Sequence, residues 1–594
     1  MEEKPKSIWR KPIRVPQLLL AWLGLMVVTT LIFIVVLMVT HASLAKFPQD
    51  LGLLIAGAAG GTVLLAGWLW FRWLCRPRNL KRFLFVVVCG ATVSALFYAE
   101  ENWRSKRAWE NYKHEWEAKG ERFDFASIVP PPVPDEKNFA MTPVIYTTYG
   151  FVLTRDGKLV PSGQRDRNWT SRLDFNLGDD SWETNGTGNW ARGTLSNLKL
   201  WQARYRELAA KTNEFAVPAQ AGSPAADVLL ALGKYDATVE EIRQASALPE
   251  CRFPLNYDAE DPAMIYLPHL ASLKRASKLL QLRALAELEN GESDKACADV
   301  RLMLRLSALI EREPTLIGML VRIAMTDIAM QPVYEGLAKH QWSDAQLAAM
   351  EAELAKINFP ADFNFSMRCE RAFAGGILDY IRKQNRMGRY RELSDIMAWD
   401  NAGKPVESQA RKFFLAAGVA LMPAGWFDLN KLTIAQMHET WLLRIAVPEK
   451  HQIMPAMLVS SAWQPTNTLF NLFARDLVPT LANCAKKFAR GQAIADLART
   501  ALALERYRLA HGEYPETLDG LAPQFIAQVP QDVIGGGPLK YHRTDDGRFV
   551  LYSIGWNEKD DGGLRALPEN GFRAEGWSQP TFDEGDWVWE YPQK

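Results

Sequence analysis

The stretch LKRASKLLQLRALAELENGESDKACADVRLMLRLSALI, Leu273 to Ile310, decides the fold class. Leu279, Leu282 and Ala286 recur at helical spacing and share one face. Asn290-Gly291 breaks the pattern, Ser293 stands where an N-cap is expected, and Ala296, Val300, Met303, Leu304 and Ser307 line a second helix. Further on, SDAQLAAMEAELAKI has ordinary amphipathic spacing, with Ser343 as its cap. No sheet-type alternation competes with these patterns, so residues 196–486 are expected to form an irregular α-helical domain.

Towards the C-terminus the text changes. A helix is expected from about 490 to 510, with Ile494, Leu497, Ala501 and Leu504 as its stripe and Gly512 just past its end. Pro515, Leu518, Leu521 and Pro523 mark a turn and a short helical segment. Strands follow at Leu539–His542 and Arg548–Ser553, joined by Thr544-Asp545-Asp546-Gly547, a hairpin signal. This order resembles the globular head of the major pseudopilin of type II secretion. The motifs carrying the resemblance are Tyr514-Pro515, Pro530-Gln531-Asp532, Tyr552-Ser553-Ile554-Gly555, Asp560-Asp561-Gly562-Gly563 and the late Asp586. It covers about 100 residues and implies a small α+β module over 487–594. The departures are specific. No prepilin-peptidase site and no filament-packing helix precede residue 487, Val533 replaces a usual Pro, and Gly535-Gly536-Gly537 lengthens a turn. Filament assembly is therefore not implied. The family binds calcium in the loop after Tyr-Ser-x-Gly, so the resemblance implies a structural calcium site at Asn557, Asp561 and Asp586, with Asp560 a weaker addition. The competing reading is a solvated acidic turn whose carboxylates bond local amides.

The opening hairpin has its own likeness. Gly291, Ala296 and Val300 fall at the offsets of a tetratricopeptide-type repeat, but no 34-residue period recurs. One hairpin of that kind is expected, not an array. Hairpin stacks of this sort usually bind peptides or proteins.

The N-terminal hundred residues are of another kind. They hold 11 Lys/Arg against four acids, while the remainder of the chain is acidic, so a net charge of +1 conceals two opposite parts. Val15–Ala45, Leu51–Phe71 and Phe83–Ala99 carry no charge. A helix needs about 20 apolar residues to cross the hydrocarbon. Three transmembrane helices over 1–100 are expected, the third run having a buried core helix as its alternative. Basic residues crowd before the first run and around CRPRNLKR, which places the N-terminus in the cytoplasm and everything after about residue 100 outside it. Gly57 and Gly61, with Ala56 and Gly60, form small-xxx-small pairs that let helices approach closely.

Residues 101–195 are expected to comprise an extension of the third helix, a linker or strap at Pro130, Pro131, Pro132 and Pro134, and a small β or irregular region with a hairpin signal at Asp156-Gly157. Cys251, Cys297, Cys369 and Cys484 match no metal spacing. Free buried thiols are expected, although an oxidising compartment would permit up to two bridges in three full pairings.

No catalytic signature stands out. There is no G-x-S-x-G, P-loop or H-E-x-x-H; His438-Glu439 begins like the last but ends in Leu442. The eight His, His269 and His451 among them, have no second His or Cys at ligand spacing and read as structural or surface residues. A near-neutral chain is no nucleic-acid binder. The whole chain resembles a loose set of bacterial membrane-anchored proteins that share the Pro130–Asp135 linker, a helical middle and a pseudopilin-like end, and that resemblance supplies no activity. The expectation is a non-enzymatic cell-envelope protein of the inner membrane. Its partners are the lipid bilayer and envelope proteins, a secretion-type machine being one candidate. The alternative is an extracytoplasmic hydrolase with its site in the helical domain.

Overall fold

The computed structural model describes residues 49–149, 151–153, 159–161, 171–178, 186–385, 417–459, 470–565 and 585–591, and a few more at 18, 21–25, 27–29, 387–389 and 391. The fold is mainly α-helical. Two compact units share the chain, Met1–Trp103 and Arg104–Lys594.

The first unit contains α1 (Gln49–Leu74) and α2 (Pro77–Glu117), the latter running on past Trp103 into the second. Pro77 opens α2, where its missing N–H costs nothing. The uncharged runs 51–71 and 83–99 lie within these helices; Val15–Ala45 falls largely outside the described residues. Around the apolar part of α2 the large side chains face outward, Phe85 at 70% exposure and Val93 at 67%. Water does not favour such a surface, and a bilayer does. By length and composition α2 is able to cross a membrane. Leu316–Ala338 passes the same test but is mostly buried in the second unit, as a core helix is. The small-residue pattern on α1 has a visible use: a Cβ on Gly60 would stand 2.8 Å from that of Thr29, and the Trp22 indole donates to Thr62 at 3.0 Å.

The second unit lays down α3 (Leu198–Thr212), α4 (Pro224–Leu232), α5 (Asp236–Ala245), α6 (Pro268–Glu289), α7 (Ser293–Leu309) and α8 (Leu316–Ala338). After these come α9 (Asp344–Leu354), α10 (Phe359–Lys383), α11 (Gly425–Thr440), α12 (Leu472–Ala482) and α13 (Ala485–His511). Helices α6 and α7 pair as the opening stretch requires. Leu279, Leu282, Ala286, Ala296, Val300 and Met303 are all buried, and Gly291 turns the chain with φ +79°. The helix start differs by one residue: Ser293 is already helical and Glu292 precedes it, so the serine hydroxyl caps nothing and instead accepts from Gln346 Nε2 at 3.3 Å. Ser343 does cap α9, in a reciprocal capping box with Gln346.

Helix α13 is the spine of this unit. It packs on α8, α9, α10 and strands β6 and β7 (given below), and from Phe488 to Glu505 nearly every residue is buried. The expected stripe of Ile494, Leu497, Ala501 and Leu504 is buried, but so is the rest of the circumference. Alanines at 489, 493, 495, 498, 501 and 503 make that close packing feasible, because they lose no side-chain entropy and let neighbours approach. A Cβ on Gly491 would already press Phe359 and Ile323 at 3.1 Å.

Among the described residues there are three small antiparallel sheets: β1 (Phe151–Leu153) with β2 (Leu159–Pro161), β3 (Ala446–Val447) with β4 (Gln452–Ile453), and β5 (Lys540–Arg543), β6 (Phe549–Ser553) and β7 (Trp587–Glu590) in that order. The Asp156-Gly157 turn expected between β1 and β2 lies outside the described residues. The proline segment is a strap: Pro134 has polyproline-type angles of −57° and 137°, and Arg252 Nε donates to Pro130 O at 2.8 Å. Trp589 of β7 is fully buried against Trp190 and Tyr334, and the Tyr334 hydroxyl donates to Glu590 O at 2.9 Å. Charge is buried too. Arg371, 3% exposed, donates to Glu121 at 2.6 Å and to Glu439, joining α10 to α11 and to the segment after α2. Cys251, Cys297, Cys369 and Cys484 are free thiols.

Candidate functional site

The motifs at the C-terminal end meet around one carboxylate. Asp532 Oδ1 accepts from the Ser553 hydroxyl at 2.8 Å and from Ile534 N at 3.0 Å, and its Oδ2 accepts from Ile554 N at 2.9 Å. Pro530-Gln531-Asp532 is thus tied to Tyr552-Ser553-Ile554-Gly555 through the aspartate. Gly555, at φ +69°, lies where a Cβ would overlap the Gly585 carbonyl, which brings Asp586 alongside the acidic loop.

The four residues expected to hold calcium do not all converge. Asp586 accepts from Asp561 N at 3.3 Å and Gly563 N at 2.7 Å, and Asn557 Nδ2 donates to Asp561 Oδ2 at 2.8 Å. Asp560 turns elsewhere, accepting from the Tyr552 hydroxyl at 3.0 Å and pairing with Lys540 at 3.1 Å. Burial raises the Asp586 carboxyl above the usual range, and the charges of Asp561 and Asp560 push the same way against two amide hydrogen bonds. The chemistry of Asn557, Asp561 and Asp586 suits a hard cation: oxygen donors in a glycine-rich loop. Among the described residues, however, no three His, Cys, Asp or Glu side chains are grouped to hold a metal ion.

A second candidate was not marked by any motif. A cavity of about 530 Å³ opens between the turn joining β3 and β4, helix α13 and the segment 528–531. Asp496 lies at its floor, 2% exposed. Its Oδ2 accepts from Gln492 Nε2 at 3.0 Å, and the orientation of that amide is fixed because Gln492 Oε1 accepts from Phe359 N at 2.8 Å. Asp496 Oδ1 stands 3.6 Å from Arg499 Nη1, while Arg499 Nε donates to Glu351 at 3.0 Å. Burial pushes the Asp496 carboxyl up to about 7, and the nearby Asp532 adds to this against Gln492 and Arg499.

His451 forms part of the wall. Its backbone is left-handed, φ +53°, which costs a non-glycine residue roughly 1–2 kcal/mol. Asn358 caps α10 through Oδ1, which accepts from Ala361 N at 3.0 Å. Its Nδ2 is therefore left to donate to Pro448 O and His451 Nε2, each at 3.3 Å. Nε2 is then an acceptor, so the ring is neutral with its proton on Nδ1. Burial and then the Arg499 charge lower its pKa, in agreement with that tautomer. A carboxyl that retains its proton, a neutral imidazole and a guanidinium share one cleft, the combination that acid–base chemistry or anion capture requires.

Two other histidines are structural. His438 is fully buried, its Nδ1 2.8 Å from Ile434 O, and burial drives its pKa down to about 3. His269 follows Pro268 at the start of α6 and stacks on Phe253 at 3.8 Å between ring centres. No protein-family model, curated protein or solved structure matches the chain. Asp496, Arg499 and His451 escaped the sequence reading. The one signal for Asp496 is an acid inside the alanine-rich run AIADLARTALAL, followed one turn later by Arg499. His451 gave no signal, because its role depends on Asn358, 93 residues away.

Proposed function

We propose that the chain is a non-enzymatic, membrane-anchored cell-envelope protein whose folded second unit presents binding surface to envelope proteins outside the cytoplasm. The observation that supports this reading is α2. One unbroken helix passes from an outward-facing apolar surface at Phe83–Ala99 to residues such as Trp109, which is buried against Phe123 and Ala435 in the second unit. Three apolar helices over 1–100 form the anchor in this reading, and the loop charges set the N-terminus inside. A secretion-type machine is a candidate among the partners. Crosslinking in native membranes followed by pull-down of the full chain tests it. A reproducible envelope-protein partner is expected, and recovery of the chain alone under every condition would contradict the reading.

The cleft at Asp496 and His451 favours a second reading, an extracytoplasmic hydrolase, since a protonated carboxyl and a neutral imidazole are the groups general acid–base chemistry uses. Sustained turnover of a peptide or ester library by the purified full chain, lost in Asp496→Asn, would establish it.

Within either reading, Asn557, Asp561 and Asp586 hold a structural calcium ion that fixes the loop against β7. Calcium titration of the full chain is expected to raise its melting temperature, and Asp586→Asn to abolish the rise. An unchanged melting temperature at millimolar calcium would remove the site.

A further inference from the structure

We infer that the cleft between the β3–β4 turn and α13 binds a carboxylate next to an amide, as at the C-terminal end of a peptide, with Asp496 and Arg499 gripping the carboxylate. The cleft lies wholly within the second unit, so the inference stands whether or not the anchor and its orientation are as proposed.

The donors and acceptors of the cleft point to this ligand. Arg499 is held on one side by Glu351, through Nε at 3.0 Å, and its Nη1 makes only the 3.6 Å approach to Asp496. Asp496 has one oxygen committed to Gln492, whose amide is fixed by the Phe359 N–H. When the carboxyl is protonated, its proton sits on the other oxygen, the one beside Arg499. His451 accepts at Nε2 from Asn358, which leaves its Nδ1–H as a donor without a protein acceptor among the described residues. A guanidinium N–H, a carboxyl O–H and an imidazole N–H are all donors, and a carboxylate only accepts.

The charge balance disfavours a dianion. Arg499 and Lys450 line the cleft with Glu449, and Glu351 already shares the Arg499 charge. With Asp496 protonated, the site has no excess of positive charge large enough for a dianionic phosphate. The side-chain amides of Gln452, Gln528 and Gln531 line the same cavity and can pair with a neighbouring peptide bond. Gly536 makes room for one of them: at φ +64°, it lies where a Cβ would overlap the Gln452 amide.

Affinity then depends on pH through Asp496. The groups facing it are Gln492 and Arg499 on its own helix, His451, Lys450 and Glu449 on the β3–β4 turn, Asp532 beyond segment 528–531, and Glu351 of α9 through Arg499. Losing the proton replaces a donor with a second negative charge against the ligand.

The test is calorimetric titration of the full chain in detergent with N-acetylglycine, at about pH 6 and about pH 8, either side of the raised carboxyl. Binding is expected at the lower pH and about tenfold weaker binding at the higher, following the protonated fraction. N-acetylglycinamide, which lacks the charge, is expected to bind at neither, and inorganic phosphate more weakly than N-acetylglycine. Asp496→Asn, which keeps a donor and cannot ionise, is expected to bind equally at both pH values, and Arg499→Gln to lose binding. No heat with N-acetylglycine at the lower pH, equal affinity of the unaltered chain at both, or a preference for phosphate or the neutral amide would each overturn the inference. The comparison across pH uses the unaltered chain and stands even if a variant fails to fold.

Discussion

Asp496 sets a sign that can be measured. In an unfolded chain its carboxyl loses its proton near 3.9, whereas in the fold burial holds it until about 7. Across roughly pH 4 to 7 the folded state therefore binds more protons than the unfolded one, so this residue makes stability fall as pH rises, and the fall levels off above the folded value. Asp496→Asn is expected to remove that slope and to be more stable than the unaltered chain at about pH 8, with the difference shrinking towards pH 4. Denaturant midpoints measured across this range decide it; parallel profiles for the two proteins would show that Asp496 titrates normally. Neighbouring residues show how a local choice serves the cleft. His451 accepts a left-handed backbone, and Gly536 gives up its side chain where Gln452 needs the space.

At the scale of elements, legibility followed periodicity. The α6–α7 hairpin, the cap at Ser343, the glycine at 512 and the hairpin of β5 and β6 each rest on patterns within a dozen residues, and each is present in the fold. Only positions slipped, as with Ser293, which lies inside its helix. Helix α13 was legible as a helix but not as a spine, because an apolar stripe predicts one buried face and cannot count how many neighbours close round the others. The cleft was invisible for a related reason: it joins residues near 358, 451, 496 and 530, and no spacing rule reaches across such gaps. The same holds for Arg371, whose acids Glu121 and Glu439 lie 250 and 68 residues away. Arg371→Met is expected to cost about 3 kcal/mol, because it leaves the Glu439 carboxylate, 7% exposed at its side chain, without its cation, while Glu121 keeps Arg368. A loss below about 1 kcal/mol in chemical denaturation would mean that water reaches Glu439.

At the scale of the whole molecule, two surfaces of opposite character share one helix. Around Phe85 and Val93 the side chains of α2 face outward and are apolar, while Trp109 on the same helix is buried in a folded unit with an acidic balance. A membrane-anchored body accounts for both, and the proposed function sets that body outside the cytoplasm. The direct measurement is labelling of intact cells with a membrane-impermeant maleimide, on a chain carrying Glu516→Cys, an exposed position beside β5, against the unaltered chain as background. The account predicts that the introduced thiol is labelled before any permeabilisation. Labelling that appears only after the membrane is broken would place the body in the cytoplasm and contradict it.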